Sequence, residues 1–163
     1  MKLQYFSQLD SRWSHIKLGS SNLSIGRWGC AYTSLVNLWM AMTGKQLTPK
    51  RYMEIAQDAK SFTDKNHPGG AGLILWDRVC EALGGVEFVG RGDAKAGKII
   101  SAIRSKGGDF VVVAVNKDSH FVSGWGVPAD GSDVVILDPL GAKRVSIKKS
   151  TYKISSARYF RLK

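Results

Sequence analysis

The side chains able to act as nucleophiles or move protons near neutrality are few: cysteines at 30 and 80, and histidines at 15, 67 and 120. Cys30 follows Trp28-Gly29 at the first turn of the most strongly patterned helix. There, unpaired backbone N–H groups and the positive end of the helix dipole favour a thiolate. Gly29 beside it leaves space for another group to approach. Cys80 falls on the apolar stripe of a later helix, the usual place of a buried, inert thiol. A nucleophilic thiol needs a base to take its proton and a group to orient that base. His120 opens a strand after the turn Asn116 to Asp118, and Asp138 closes the next strand before Pro139. If those strands pair antiparallel, the start of one meets the end of the other, so helix-start Cys30, strand-start His120 and strand-end Asp138 form a workable triad. Each also has a plainer explanation: a packed free thiol, an exposed edge histidine, a turn aspartate ahead of proline.

Other chemistries fail on spacing. Gly44-Lys45 has no glycine five residues earlier and is followed by Gln46, so it is no phosphate loop. The glycines at 69, 70, 72, 84, 85 and 90 do not make a dinucleotide fingerprint, and no serine sits in a G-x-S-x-G elbow. None of the histidines has a second histidine or cysteine at zinc spacing. The calcium-loop start Asp64-x-Asn66 meets Leu75 where the closing glutamate belongs. Neither a metal nor a cofactor is expected, and a Cys30–Cys80 disulfide ranks well below two free thiols.

The elements that would position the triad follow from periodicity. Ala31, Leu35, Leu38, Trp39 and Met42 fall at helical spacing, with Gly44 placed to end the helix. Thr48-Pro49 is an N-cap and first-turn pair opening a helix to about Lys60. Lys65 to Gly72 must be a loop. Leu73, Trp76, Cys80 and Leu83 mark a third helix closed by Gly84-Gly85, and a fourth is expected from Ala94 to Ser105, with Ala96, Ile99, Ile100 and Ile103 inward. Beyond Gly108 the pattern turns β-rich: Phe110–Val115, Phe121–Val127, Val134–Leu137, Val145–Ile147 and Arg158–Leu162 are expected strands. With no linker or repeat, the expectation is one α+β domain over 1–163, an N-terminal helical half packed on a mostly antiparallel sheet.

In order and spacing these segments resemble the C39-like cysteine peptidases of the papain-like superfamily. The shared features are an aromatic-x-Gln segment followed by Trp (Tyr5-Phe6-Ser7-Gln8, then Trp13), Gly29-Cys30-Ala31 opening a helix with Thr33-Ser34 behind it, and the Gly44 helix end. Leu47-Thr48-Pro49, His120-Phe121-Val122 and Asp138-Pro139 complete the set, so the likeness runs to about residue 140. Ser119 stands where a glycine is common in that family. The resemblance implies a papain-like fold with Cys30 as nucleophile, His120 as general base and acid, and Asp138 as the orienting carboxylate. It also implies that Gln8 donates to the oxyanion alongside the backbone N–H of Cys30. The best-known members remove leader peptides and are fused to transporters, while stand-alone domains of bacteria and phages include cell-wall lysins. The chain has no transporter features, so a phage or bacterial peptidoglycan endopeptidase of the endolysin kind is the preferred expectation. Processing of a protein or leader peptide comes second, and a non-catalytic polyanion-binding module on the same fold third.

Composition supplies the remaining constraints. The 163 residues are 44% hydrophobic and 23% charged, globular values that exclude a wholly disordered chain. No apolar run approaches the roughly 18 residues of a membrane span, and MKLQYFSQLD lacks a secretory signal, so synthesis in the cytoplasm without a Sec address is expected; the site of action stays open, the cell wall after release being one option. The net charge of +11 is uneven: eight cations (Lys143, Arg144, Lys148, Lys149, Lys153, Arg158, Arg161, Lys163) follow the last acid, Asp138, leaving +3 on the first 142 residues. That region, 143–163, is expected to hold an anionic envelope polymer, with nucleic acid a lower-ranked partner, or else to be an ordinary solvated surface. A monomer is expected.

Overall fold

The computed structural model describes residues 3–93, 98–101, 110–127 and 130–163. Its architecture is α+β. Among the described residues, the helices α1 (Ile25–Trp28), α2 (Cys30–Thr43), α3 (Pro49–Asp58) and α4 (Trp76–Leu83) precede the strands β1 (Val86–Asp93), β2 (Phe110–Val115), β3 (His120–Gly126), β4 (Val135–Asp138), β5 (Lys143–Ser146) and β6 (Ile154–Leu162), with residues 98–101 helical between β1 and β2. The strands form one sheet in the order β1-β6-β2-β3-β4-β5, every neighbouring pair antiparallel.

Helix α2 is the axis of the molecule. Ten of its fourteen residues are buried, because it lies between the sheet and the other helices and is apolar nearly all round. It ends at Gly44 in the left-handed region (φ 67°), whose N–H closes on the Met40 carbonyl. Helix α3 starts as expected, with Thr48 accepting the Arg51 N–H and Pro49 in the first turn, and stops at Asp58, just short of Lys60 with its positive φ. Residues 65–72 carry neither helix nor strand.

Several boundaries differ from expectation. Helix α4 begins at Trp76, because Ile74 is engaged in a bridge to Phe62 and Leu73 is exposed. The expected helix from Ala94 to Ser105 is described only at 98–101, which is helical; its other residues lie outside the described ones. The strand β1 was not anticipated. It pairs with β6 along its length around a bulge at Val89, so the basic C-terminal strand is flanked on both sides. Strand β6 begins at Ile154, four residues ahead of the expected start, and β5 is shifted two residues earlier, to Lys143.

Both faces of the sheet are covered. Val112, Phe160 and Val86 pack with Phe6, Trp13, Leu35, Trp39 and Tyr52 on the helical side. Val111, Val113, Val115, Ile136 and Tyr159 form a second core with Ile99 on the other side. Burial on both faces explains why β2 is an unbroken apolar run rather than an alternating one.

Candidate active site

Cys30 is the first residue of α2, half-buried and free, at the helix start where the sequence places it. The kinked junction between α1 and α2 sets its position. Gly29 is the hinge, and a Cβ there would lie 2.6 Å from the Ile25 carbonyl oxygen and 2.7 Å from its Cα. The space at Gly29 is thus filled by the backbone of α1. The glycine permits close packing of two helix ends and does not, as expected from sequence, keep open an approach to the thiol.

His120 is the first residue of β3, and Asp138 is the last of β4. The two strands are neighbours and antiparallel, pairing at Ser123 with Leu137, so the imidazole and the carboxylate meet as the sequence arrangement requires. His120 Nε2–H donates to Asp138 Oδ1 at 2.9 Å. Nδ1 is then the ring nitrogen available to the Cys30 sulfur, which lies close enough to contribute to the titration of the ring. Burial works against protonation of His120, but hydrogen bonds to Asp138 and Cys30 and their charges outweigh it and raise the pKa to about 9.

The hairpin that launches His120 is tightly held. Asn116, Lys117 and Asp118 all adopt positive φ (53°, 59° and 61°). Ser155 Oγ accepts from the backbone N–H groups of Lys117 and Asp118, and the Asn116 N–H reaches the Lys153 carbonyl. Two serines lock α2 against β3. Ser34 Oγ donates to the Phe121 carbonyl at 3.0 Å, while Ser123 Oγ donates to the Ser34 carbonyl at 2.7 Å. Ser34 is one helical turn beyond Cys30 and Phe121 adjoins His120, so this reciprocal pair fixes the helix end against the strand end.

Asp138 is buried and has a partner on each oxygen. Oδ1 also accepts the Leu140 N–H at 2.9 Å, and Oδ2 takes the Tyr152 hydroxyl at 2.5 Å. Burial opposes ionisation, yet the donors from His120, Tyr152 and Leu140 prevail and hold the carboxyl below its ordinary range. Tyr152, pushed up to about 12 by burial and by Asp138, also lies with its ring 5.6 Å from that of His120. It was missed in the sequence because nothing local distinguishes a tyrosine in the β5–β6 connection.

Gln8 is brought to the same region by the N-terminal segment. Its backbone N–H bonds to the Pro139 carbonyl at 2.8 Å, directly beside Asp138. Buried Asn37 of α2 pairs with both the N–H and the C=O of Phe6. Gln8 is buried, its Nε2 donates to the Gly26 carbonyl at 3.0 Å, and its Oε1 has no partner. One amide hydrogen is thus engaged on α1 and the second remains. Cys80, by contrast, is buried on α4 and pushed up to about 12, chiefly by burial and then by Asp77.

The eight C-terminal cations do not make one surface. Lys143 and Arg144 are on edge strand β5, whereas Arg158 and Arg161 are on β6, four strands away in the sheet order. Arg158 is only 7% exposed, which removes it from any surface for a large polymer. Its guanidinium stacks over Phe121 and lies near Asp118, the reason a charged residue is tolerated inside.

Among the described residues, no three His, Cys, Asp or Glu side chains gather to hold a metal ion, and no helix is long and apolar enough to cross a membrane. No family model, curated protein or solved structure matches the chain.

Proposed function

We propose that the chain is a papain-like cysteine peptidase in which Cys30 attacks an amide carbonyl. The observation that carries this is His120: Nε2 is anchored on a buried carboxylate, and a thiol at a helix N-terminus lies close enough to the ring to help raise its pKa. With its pKa at about 9, His120 is an imidazolium near neutrality, the state that pairs with a thiolate. The thiolate adds to the carbonyl carbon. The oxyanion is met by the Cys30 N–H and by the free Nε2 hydrogen of Gln8, one such donor contributing about 3 kcal/mol. His120 gives its proton to the departing amine as the tetrahedral intermediate collapses to a thioester. It then takes a proton from water, which attacks the thioester; collapse releases the acid and restores the Cys30 thiolate beside the imidazolium.

The substrate we favour is the peptide part of peptidoglycan, supported by the cationic surface of Lys143, Arg144, Lys148 and Lys149, which suits an anionic envelope. Two measurements test these assignments. Iodoacetamide near neutral pH labels Cys30 much faster than Cys80, whose thiol is held protonated; equal labelling sinks the nucleophile. Purified peptidoglycan releases soluble peptide fragments with the wild type and none with Cys30→Ala. Release of the same fragments by Cys30→Ala would overturn the peptidase, and no fragments from either would move the substrate to a protein.

A further inference from the structure

A cavity of about 460 Å³ opens directly beside Cys30. Its walls are mainly apolar, with Trp28, Phe62, Leu73, Trp76 and Phe121 among them, and Asp118 and Arg158 also line it. That size suits one large side chain with room for water. The unusual wall is Arg158. It projects from β6 with its guanidinium 5.2 Å from the Phe121 ring centroid and 6.0 Å from that of Trp76. Nη1 donates to Ser156 Oγ at 2.5 Å, and Nη2 lies 3.6 Å from Asp118 Oδ2.

Asp118 is shared. Arg91 of β1 holds the same Oδ2 more closely, at 2.9 Å, and Ser156 Oγ donates to Oδ1. Among the described residues, two guanidinium groups therefore divide one carboxylate whose oxygens are both engaged, leaving one positive charge in excess. Of the two cations Arg91 is exposed and Arg158 buried, so the surplus is least solvated at the cavity wall. A wholly apolar ligand would seal Arg158 from water without offering an acceptor, a costly outcome for a buried charge. A carboxylate would complete the neutralisation and accept two parallel N–H bonds, the geometry guanidinium favours.

We infer that this cavity is the specificity pocket and that it takes a substrate side chain with an apolar stem and a terminal carboxylate, read by Arg158. The assignment to substrate rests on Cys30 being the nucleophile, whereas the ligand chemistry rests on the pocket alone.

Binding tests it without catalysis. N-acetylglutamate α-amide and the matching glutamine and leucine amides are titrated into the wild type and Cys30→Ala, following the side-chain Nε–H of Arg158 and the Phe121 signals by NMR. The glutamate amide shifts both signals and binds about tenfold tighter than either neutral amide, in both proteins. Arg158→Met abolishes the preference. If that variant does not fold, the comparison of the three amides on the wild type decides. A leucine amide that binds as tightly, a glutamate preference that survives Arg158→Met, or no binding of any of the three at tens of millimolar overturns the pocket. Quenched peptides carrying Glu, Gln or Leu at each position around the scissile bond then separate the two assignments. Wild type that binds glutamate selectively but cleaves neither these peptides nor peptidoglycan refutes the peptidase and leaves the pocket, and cleavage indifferent to Glu refutes the pocket's role in specificity and leaves the peptidase.

Discussion

His120 joins the proposed nucleophile to the carboxylate, and its titration is the most accessible property of the site. Its folded pKa of about 9 lies above the ordinary 6.5, so folding favours the protonated ring. That contribution is complete below about pH 6.5 and is lost as pH rises towards 9. The melting temperature should therefore fall between pH 6.5 and 9 in the wild type, and that part of the fall should vanish in His120→Asn. The alkaline limb of the pH–rate profile should lie near pH 9. Asp138→Asn removes the charge that favours imidazolium, so the limb should move to lower pH and kcat should drop by orders of magnitude; a limb that stays in place would mean that Asp138 does not govern the ring. The placement of Cys30 at a helix start, and of His120 and Asp138 at the meeting ends of paired strands, was legible in the sequence because each follows from local pattern and turn chemistry. Tyr152, which completes the Asp138 carboxylate, was not: its contact crosses 14 positions and depends on the path of the β5–β6 connection.

At the level of elements, the site depends on how α2 is seated. Gly29→Ala would drive a methyl into backbone atoms of Ile25 that no side-chain rotation can relieve. A loss of about 1–3 kcal/mol is expected, read as a fall in melting temperature, with activity reduced further because the same shift displaces Cys30. Ser34→Ala removes the bond to Phe121 but leaves that from Ser123, so a loss of about 1 kcal/mol and a fall of about 2–4 °C are expected. If kcat were unchanged in Ser34→Ala, the seating of α2 on β3 would not matter to catalysis. The helix ends were readable from Gly44 and Thr48-Pro49, which act within one turn of chain. Strand β1 was hidden, because Gly90 and Gly92 interrupt its apolar pattern and its pairing partner, β6, lies some 70 residues on. The burial of Arg158 was hidden for a similar reason: local composition marks it as one more cation of a basic tail, and only the neighbouring Asp118 turn makes an interior place for it.

Across the whole molecule, charge and chemistry are laid out differently. The cations of 143–149 lie at one edge of the sheet, beyond Asp138, while Arg161 lies near the other edge, opposite Glu87. Raising salt should weaken attachment to an anionic surface more than cleavage of a small soluble peptide, because exposed charges are screened and the buried His120–Asp138 pair is not. Equal suppression of both by salt would defeat that separation of roles.

The N-terminal segment ties this arrangement to the order in which the chain is made. Ser7 Oγ accepts the Gly141 N–H across 134 positions, next to the bond from Gln8 to Pro139. Gln8 and Cys30 leave the ribosome early, and the segment that supplies Asp138 and clasps Gln8 leaves late. On the proposed function, a hydrolase of this build cannot be competent while it is still being synthesised. The thiol exists long before anything orients its base, and only a chain made as far as residues 138–141 can pair His120 with Asp138 and hold the segment of Ser7 and Gln8.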